Sequence, residues 1–438
     1  MSDLASTLAV LGAGPKAAAL AAKAHVLRGA GLPAPQVVVI ERGGPAANWT
    51  GARGYTDGQQ PLGTPPAKDV GYPYPASWGT HSGTVQRAML AFSWPAFLVE
   101  RGHYAEWVDR GELPPTHGRW GEYLRWVFAR SGVECIQATL TRADLQDGHW
   151  RLTGQGEAGE VEVTADALVV TGTGPPLTLP GQPVDHPRVT DGRTFWTRLA
   201  TFSGLTRPAS VAVVGAGETA ASVAVALLAR LPGGSTVEVV TGSGVLYTRG
   251  ESFWENRLYS NPLPEWPAMA ERHRREFLRR TDRGVFSVRA QETLNGFEGL
   301  RTVAGRVLRV EPGEDAVVLD LQTDGESERI AFDHVVVATG FDPLWWEALL
   351  GEETRAGLSE VLGGKVSAET LERVIDVDLS VRGLTPKLHL PMLAGLAQGP
   401  GFPNLSCLGL LADRVLGGLV ERGKEHGLPG HRRERHGA

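Results

Sequence analysis

The residues of this chain whose types and spacing could do chemistry lie in two glycine-rich turns. The segment GAGPKA at 12–17 fits the pattern G-x-G-x-x-G/A. Gly12 permits a tight turn, Gly14 lets backbone approach a pyrophosphate, and Ala17 allows a helix to pack closely on a strand. Ala13, Pro15 and Lys16 complete the turn, which would face phosphate oxygens with the N-terminus of a helix. The next apolar run, QVVVIER, ends in Glu41, placed to accept from a ribose diol, and in Arg42. Glu41 follows Gly12 by 29 positions, more than the usual ~20, so the intervening helix or its loop must be long.

The segment GAGETA at 215–220 repeats the pattern, with Gly215, Gly217, Glu218 and Thr219 in the turn. Two such turns suggest two dinucleotides, which is what a flavin enzyme reduced by a nicotinamide needs. The run after the second turn, VEVVTGSG, reaches Thr241 without an Asp or Glu that would repel a 2′-phosphate, so NADPH is favoured over NADH. Ser243 and Arg249 are candidates to hold that phosphate.

These turns need strands before them and helices after them, and the sequence supplies both. TLAVLGAGPKAAALAAKAHVL (7–27) and SVAVVGAGETAASVAVALLAR (210–230) share one grammar of short apolar strand, Gly turn and Ala-rich helix. Two further buried strands leave through Thr-Gly, in ALVVTGTGPP (167–176) and DHVVVATGFDP (333–343). Alternating strands and helices imply parallel sheets, because parallel strands need crossover connections. The expected class is α/β, with two Rossmann-like doubly wound dinucleotide-binding domains and a small, mainly helical substrate-binding region. Residues 44–120 are rich in Gly, Pro, Trp and Tyr and read as ordered loops, since aromatics at that density are usually buried. GRWGEYLRWVFARSG (118–132) reads as an amphipathic helix, the stretch up to ALVV as hairpin-like strands, and 246–300 as a cap over the cleft between the sheets.

Composition excludes other classes. With 438 residues, two or three domains are expected at ~100–200 residues each. Apolar residues at 42% and charged ones at 21% exclude wholesale disorder, and the 56 glycines follow no G-X-Y period. A net charge of −6 advertises neither nucleic acid nor an acidic membrane as partner. The one basic cluster, the terminal HRRERHGA, reads as a frayed, solvated end. Cys135 and Cys407 form neither a CxxC pair nor zinc-site spacing, so no metal and no dithiol chemistry are expected. The chain starts without the basic region and cleavage site of a secretory signal, and no stretch nears the ~18 apolar residues of a membrane span. A cytoplasmic protein is the expectation.

Taken in order, GAGPKAAALAAKA, NWTGARGYTDG, LGTPPAKDVGYPY, VAVVGAGETAASVA, WENRLYSNP, TDRGVF, VVVATGF and GFPNLSCLGLLADR resemble the flavin-dependent N-hydroxylating monooxygenases, the lysine and ornithine N-monooxygenases of hydroxamate siderophore pathways. The resemblance covers nearly the whole chain and is closest to the lysine branch serving mycobactin- and nocobactin-type siderophores. It implies FAD and NADPH as cofactors and O2 as co-substrate, with an FAD-binding domain at 1–178 and 331–438, an NADPH-binding domain at 179–245 and 301–330, and a substrate-binding cap at 246–300. Asn48 and Trp49 resemble positions beside the flavin, as does Leu405, and Ala338, Thr339 and Gly340 match an ATGY-type element in which Phe341 replaces Tyr. Lys68 in the pair Lys68-Asp69 resembles the residue that binds the amino acid's α-carboxylate. Asn256 resembles one that holds its backbone groups, and Ser406 one near its side chain.

The implied reaction is hydroxylation of the terminal amine of L-lysine through a C4a-hydroperoxyflavin, giving N6-hydroxylysine for a hydroxamate siderophore or related product. No catalytic side chain is needed, because the flavin carries the chemistry. Homo-oligomers, dimers or tetramers, are common in such a family. One departure leaves the substrate open: an Asn of the ornithine enzymes' T-N-x-G-V element is Asp282 here, and an ionised aspartate would pair with an ammonium or be neutralised by Arg283. L-Ornithine or an aliphatic diamine is therefore the alternative. Flavin monooxygenases acting on sulfur, tertiary amines or ketones carry F-x-G-x-x-x-H, and here Phe202, Ser203 and Gly204 lead to Pro208 in place of His. A non-catalytic dinucleotide-binding redox sensor would bind the cofactors without amine-stimulated NADPH consumption.

Overall fold

A computed structural model describes residues 6–75 and 77–425. The basic C-terminal cluster and the first five residues lie outside that range. Strand Thr7–Leu11 is followed by the 15-residue helix Pro15–Gly29, with Gly14 at its N-cap and Pro15 in its first turn. The helix is Ala-rich because it is buried on several sides at once: Ala17, Ala18, Ala19 and Ala22 are wholly inaccessible. It crosses the C-terminal helix Leu408–Glu425, and buried Lys23 pairs with Asp413 at 2.7 Å across that contact. The long helix and its loop account for the offset of Glu41.

The first sheet runs Lys387–His389, Ala167–Val170, Thr7–Leu11, Gln36–Ile40, Glu134–Ile136, all parallel. The second runs Leu300–Ala304, Thr236–Thr241, Ser210–Val214, His334–Val337, Val189–Asp191, again all parallel. Each elbow strand thus lies in mid-sheet, beside a strand that leaves through Thr-Gly. Before each exit strand the chain inserts a three-stranded antiparallel meander, 138–165 in the first unit and 306–332 in the second.

One boundary differs from expectation. The sequence puts the return to the first unit at residue 331, whereas His334–Val337 pairs with the second elbow strand and completes the second sheet. The hydrogen bonding of a buried parallel strand decides its membership, and all four residues of this strand are buried. The chain therefore re-enters the first unit only after the Thr339-Gly340 exit.

The Gly-, Pro- and aromatic-rich stretch is ordered by a ring cluster. Trp94 packs on Trp120 and Tyr123 with ring centroids 5.8 and 5.6 Å apart, and both tryptophans are at most 1% exposed. The helix His117–Ser131 carries Trp120 and Tyr123, and the Tyr123 hydroxyl donates to Phe92 O at 2.8 Å. Between 253 and 294 the chain forms four short helices, of which Glu271–Thr281 is the Arg-rich one. No described helix is long and apolar enough to cross a membrane.

Candidate functional site

The first elbow is shaped from beneath. Thr171, at the exit of strand Ala167–Val170, donates its hydroxyl to Leu11 O at 2.9 Å and to Gly12 O at 3.1 Å. A Cβ on Gly12 would sit 2.7 Å from that hydroxyl, and Gly12 has φ +101°, a backbone state that disfavours side chains. The second elbow repeats the arrangement: Gly215 has φ +130°, and a Cβ there would overlap Ala338 O of the other exit. Each Thr-Gly exit is thus the floor of its neighbour's elbow, which explains why both recur in the sequence.

The middle glycines behave differently. A Cβ built on Gly14 or Gly217 meets no protein atom within 4 Å. Both have extended backbone, with φ −95° and −97°, so the protein itself does not require glycine there. Space left free at the start of a helix, lined by glycine, is what a pyrophosphate needs.

A cavity of about 600 Å³ opens at the first elbow. Its walls include Gly12, Ala13, Gly14, Pro15, Lys16, Glu41, Arg42, Asn48, Trp49 and Leu405. Of the positions assigned to the flavin cofactor from sequence, only Ala17 is absent, because it packs the helix against the sheet and is fully buried. The Glu41 carboxylate accepts from Ala13 N at 3.1 Å and Gly43 N at 2.9 Å, tying the second strand's end to the elbow. Apolar walls with a few fixed polar groups and an anion-ready helix start fit an extended dinucleotide.

Sequence reasoning missed several walls of this cavity. Tyr55, Thr56, His117, Arg193, Trp345 and Met392 reach it from distant parts of the chain. His117 bonds Thr56 Oγ through Nδ1 at 2.9 Å and meets the Trp49 ring edge-on at 4.9 Å. Burial pushes its pKa down to about 4, so it is a neutral imidazole at physiological pH.

At the second elbow, Glu218 opens the helix Glu218–Leu228 and accepts from Ser287 N at 3.0 Å and Ser287 Oγ at 2.9 Å. Arg249 lies 3.7 Å from the Glu218 carboxylate. Ser243 Oγ instead donates to Val245 O at 3.2 Å, so the two phosphate candidates have separate partners. Thr219 packs under Gly192, and Thr339 Oγ is buried without a hydrogen-bond partner among the described residues. Gly340 has φ +103°.

The substrate candidates converge in part. Lys68 Nζ donates to Asn256 Oδ1 at 3.4 Å across 188 positions of sequence. Burial lowers the Lys68 pKa, opposed by the Cys407 thiol and Glu251. Cys407 follows Ser406, whose N–H donates to Asn404 Oδ1 at 2.9 Å. Asp282 hydrogen-bonds the Asn404 side chain, and its pKa is raised by burial against the pull of Arg249 and Arg283. Arg283 is also paired with Glu372, so its charge acts on both carboxylates.

The loop bearing Lys68 is anchored by its neighbour. Buried Asp69 accepts from Gly71 N at 3.0 Å, Tyr74 Oη at 2.8 Å and Trp94 N at 2.8 Å. Burial raises its pKa to about 6. Because the shift is upward, the folded state holds this proton more tightly than the unfolded chain, and the group's contribution to stability falls as pH rises from about 4 through 6. Asp69→Ala would still destabilise, by about 2–4 kcal/mol, because three donors lose their acceptor. Thermal unfolding at fixed pH checks this, and an unchanged Tm would contradict the anchoring role.

Comparison with known proteins matches residues 84–343 to the family described as L-lysine 6-monooxygenase/L-ornithine 5-monooxygenase. The chain is 45% identical over 421 residues to the L-lysine N6-monooxygenase MbtG of Mycobacterium sp. (strain MCS), covering 94% of this chain and 95% of that one. It is 43% identical to the MbtG protein of Mycobacterium tuberculosis (strain ATCC 25618 / H37Rv), with 96% of each chain covered. Among solved structures, lysine monooxygenase NbtG from Nocardia farcinica, described as having an unprecedented NADPH domain conformation, superposes with a TM-score of 0.81 at 41% identity, over 94% of this chain and all of that one. The Kutzneria sp. 744 ornithine N-hydroxylase KtzI, described with reduced FAD, NADP⁺ and L-ornithine, shares the fold, with a TM-score of 0.75 at 19% identity over 96% of this chain and 99% of that one.

Proposed function

Because the chain belongs to the L-lysine 6-monooxygenase/L-ornithine 5-monooxygenase family, we propose that it hydroxylates the terminal side-chain amine of L-lysine to N6-hydroxylysine for a hydroxamate siderophore. It is a flavin-dependent N-monooxygenase whose cofactors are FAD and NADPH, with O2 as co-substrate. The observation that carries the reading is the cavity at the first elbow, walled by the residues that a flavin dinucleotide would need. The near full-length likeness to lysine enzymes supports the choice of substrate.

When bound, NADPH and FAD supply the reducing equivalents and the activated oxygen. The chain's own residues bind and orient. The first helix N-terminus and Gly14 receive the flavin's pyrophosphate, Glu41 its ribose, and the second elbow with Thr339 the nicotinamide dinucleotide. Lys68 takes the α-carboxylate of lysine, with Asn256 beside it and Ser406 toward the reacting end. The side-chain amine must be neutral to act as a nucleophile. At its ordinary pKa of ~10.4 that costs about 4 kcal/mol at neutral pH, and a site already holding the buried Lys16 and the half-buried Lys68 reduces the cost by disfavouring a further ammonium.

A second reading rests on Asp282, a carboxylate beside Asn404 where an ornithine enzyme carries an amide. Asp282→Asn should change the ratio of kcat/KM for lysine over ornithine by several-fold, and an unchanged ratio would place Asp282 outside the substrate site. Assembly as a dimer or tetramer and a cytoplasmic location belong to the same proposal. Exposed Phe253 and Trp254 on the cap supply apolar surface for assembly, and sedimentation checks it. The function itself is tested by measuring hydroxylamine formation from lysine, ornithine, putrescine and cadaverine with NADPH and O2. Lysine should be the best substrate. Preference for another amine would overturn the substrate assignment, and no product from any would overturn the reaction.

A further inference from the structure

Lys16 is a buried cation with no buried anion to match it. It lies in the first turn of the helix Pro15–Gly29, and its side chain lines the cavity. Its ammonium donates to Pro403 O at 2.8 Å and Asn404 O at 3.4 Å. Among the described residues no carboxylate lies within ion-pair distance. Lys23, about two helical turns further along, shows the contrast: equally buried, it is paired with Asp413 at 2.7 Å. Burying an ammonium without a counter-charge costs several kcal/mol, a cost a chain carries where an anion is to be received.

The position of the ammonium narrows what that anion is. The Lys16 side chain leads away from the elbow to the loop 403–406, which also carries Leu405 in the cavity wall and Ser406. The Cys407 thiol is within electrostatic reach of both Lys16 and Lys68. Lys16 thus points toward the end of the cavity where the substrate residues gather. Resting on the flavin reading above, we infer that Lys16 is the internal counter-charge for the reduced flavin. Hydride transfer from NADPH adds two electrons and one proton to the ring system and leaves NADP⁺, so the ring gains one negative charge. A fixed ammonium nearby balances that charge and favours reduction. Burial brings the Lys16 pKa down to about 8, and an adjacent anion raises it again, keeping the group charged when it is needed.

The test is the midpoint potential of the FAD-loaded protein in wild type, Lys16→Gln and Lys16→Met. Gln keeps an N–H for the carbonyls of the 403–406 loop, whereas Met keeps only the length. Both variants should lose at least tenfold in affinity for reduced over oxidised FAD, a potential lower by at least ~30 mV for a two-electron couple. ADP should bind the two apoproteins within twofold of wild type. An unchanged potential in Lys16→Gln would overturn the inference and leave Lys16 as a tie for the loop. Parallel loss of ADP and FAD affinity would overturn it too, by placing the charge at the pyrophosphate. If a variant does not retain FAD on purification, titrating its apoprotein with oxidised and with dithionite-reduced FAD reads the same ratio. Flavin binding and NADPH reduction by wild type report separately on the underlying reading.

Discussion

Replacing Gly14 by Val is expected to give a folded, colourless protein. The valine Cβ meets no protein atom within 4 Å, and the extended backbone at Gly14, φ −95° and ψ −166°, is one that a β-branched residue adopts readily. The fold therefore has no reason to object. The flavin's pyrophosphate does, because the side chain would occupy the space at the helix start that its oxygens require. FAD affinity should fall at least ~100-fold, about 2.7 kcal/mol, while the Tm of the apoprotein stays within a few degrees. Gly12→Val is the contrasting control: at φ +101°, with Thr171 Oγ 2.7 Å from its Cβ, it should disturb the elbow and lower the Tm of the apoprotein itself. A yellow Gly14→Val protein with full flavin content would contradict this account of the cavity.

Removing the ammonium of Lys68 should separate substrate binding from cofactor chemistry. Lys68 touches Asn256 but is not among the walls of the flavin cavity. Lys68→Ala deletes a charge-assisted contact to the α-carboxylate of lysine, of about 1.5–3 kcal/mol, or ~10–100-fold in kcat/KM. The loss should appear as a raised KM, since a contact to a non-reacting group binds ground and transition states alike. NADPH oxidation without lysine should change far less. Steady-state kinetics with and without lysine measure both, and an unchanged KM would remove Lys68 from the substrate site.

Much of this was legible in the sequence because the two elbows advertise their mechanics. A strand, a Gly turn and an Ala-rich helix form one local unit, so the residues between Gly12 and Ala17 needed no tertiary information. The Gly-, Pro- and Trp-rich stretch was legible as ordered, but not as a wall. His117 and Thr56 meet because the loop at 58–62 is bonded to 115–118, with His117 N donating to Gln60 O and Gly118 N to Gly58 O, each at 2.8 Å, and neither follows a periodic pattern. Trp345 and Met392 reach the cavity from beyond the second sheet, and no local signal marks them. The misplaced boundary at residue 331 was avoidable. VVVATG repeats the grammar of ALVVTG, and as Thr171 is the floor of the first elbow, Ala338 and Thr339 had to be the floor of the second. Arg249 shows the limit of motif reading: the sequence offers it as a candidate for the 2′-phosphate, and no local signal marks its approach to 3.7 Å from Glu218, 31 positions away in the second elbow.

The central claim is that both elbows hold their dinucleotides and that electrons pass from one to the other. Anaerobic mixing of the purified yellow protein with NADPH tests it most directly. The account predicts stoichiometric bleaching of the flavin absorbance, slowed at least tenfold when NADH replaces NADPH at equal concentration. A protein that binds no flavin, or a bound flavin that NADPH leaves oxidised, would contradict it.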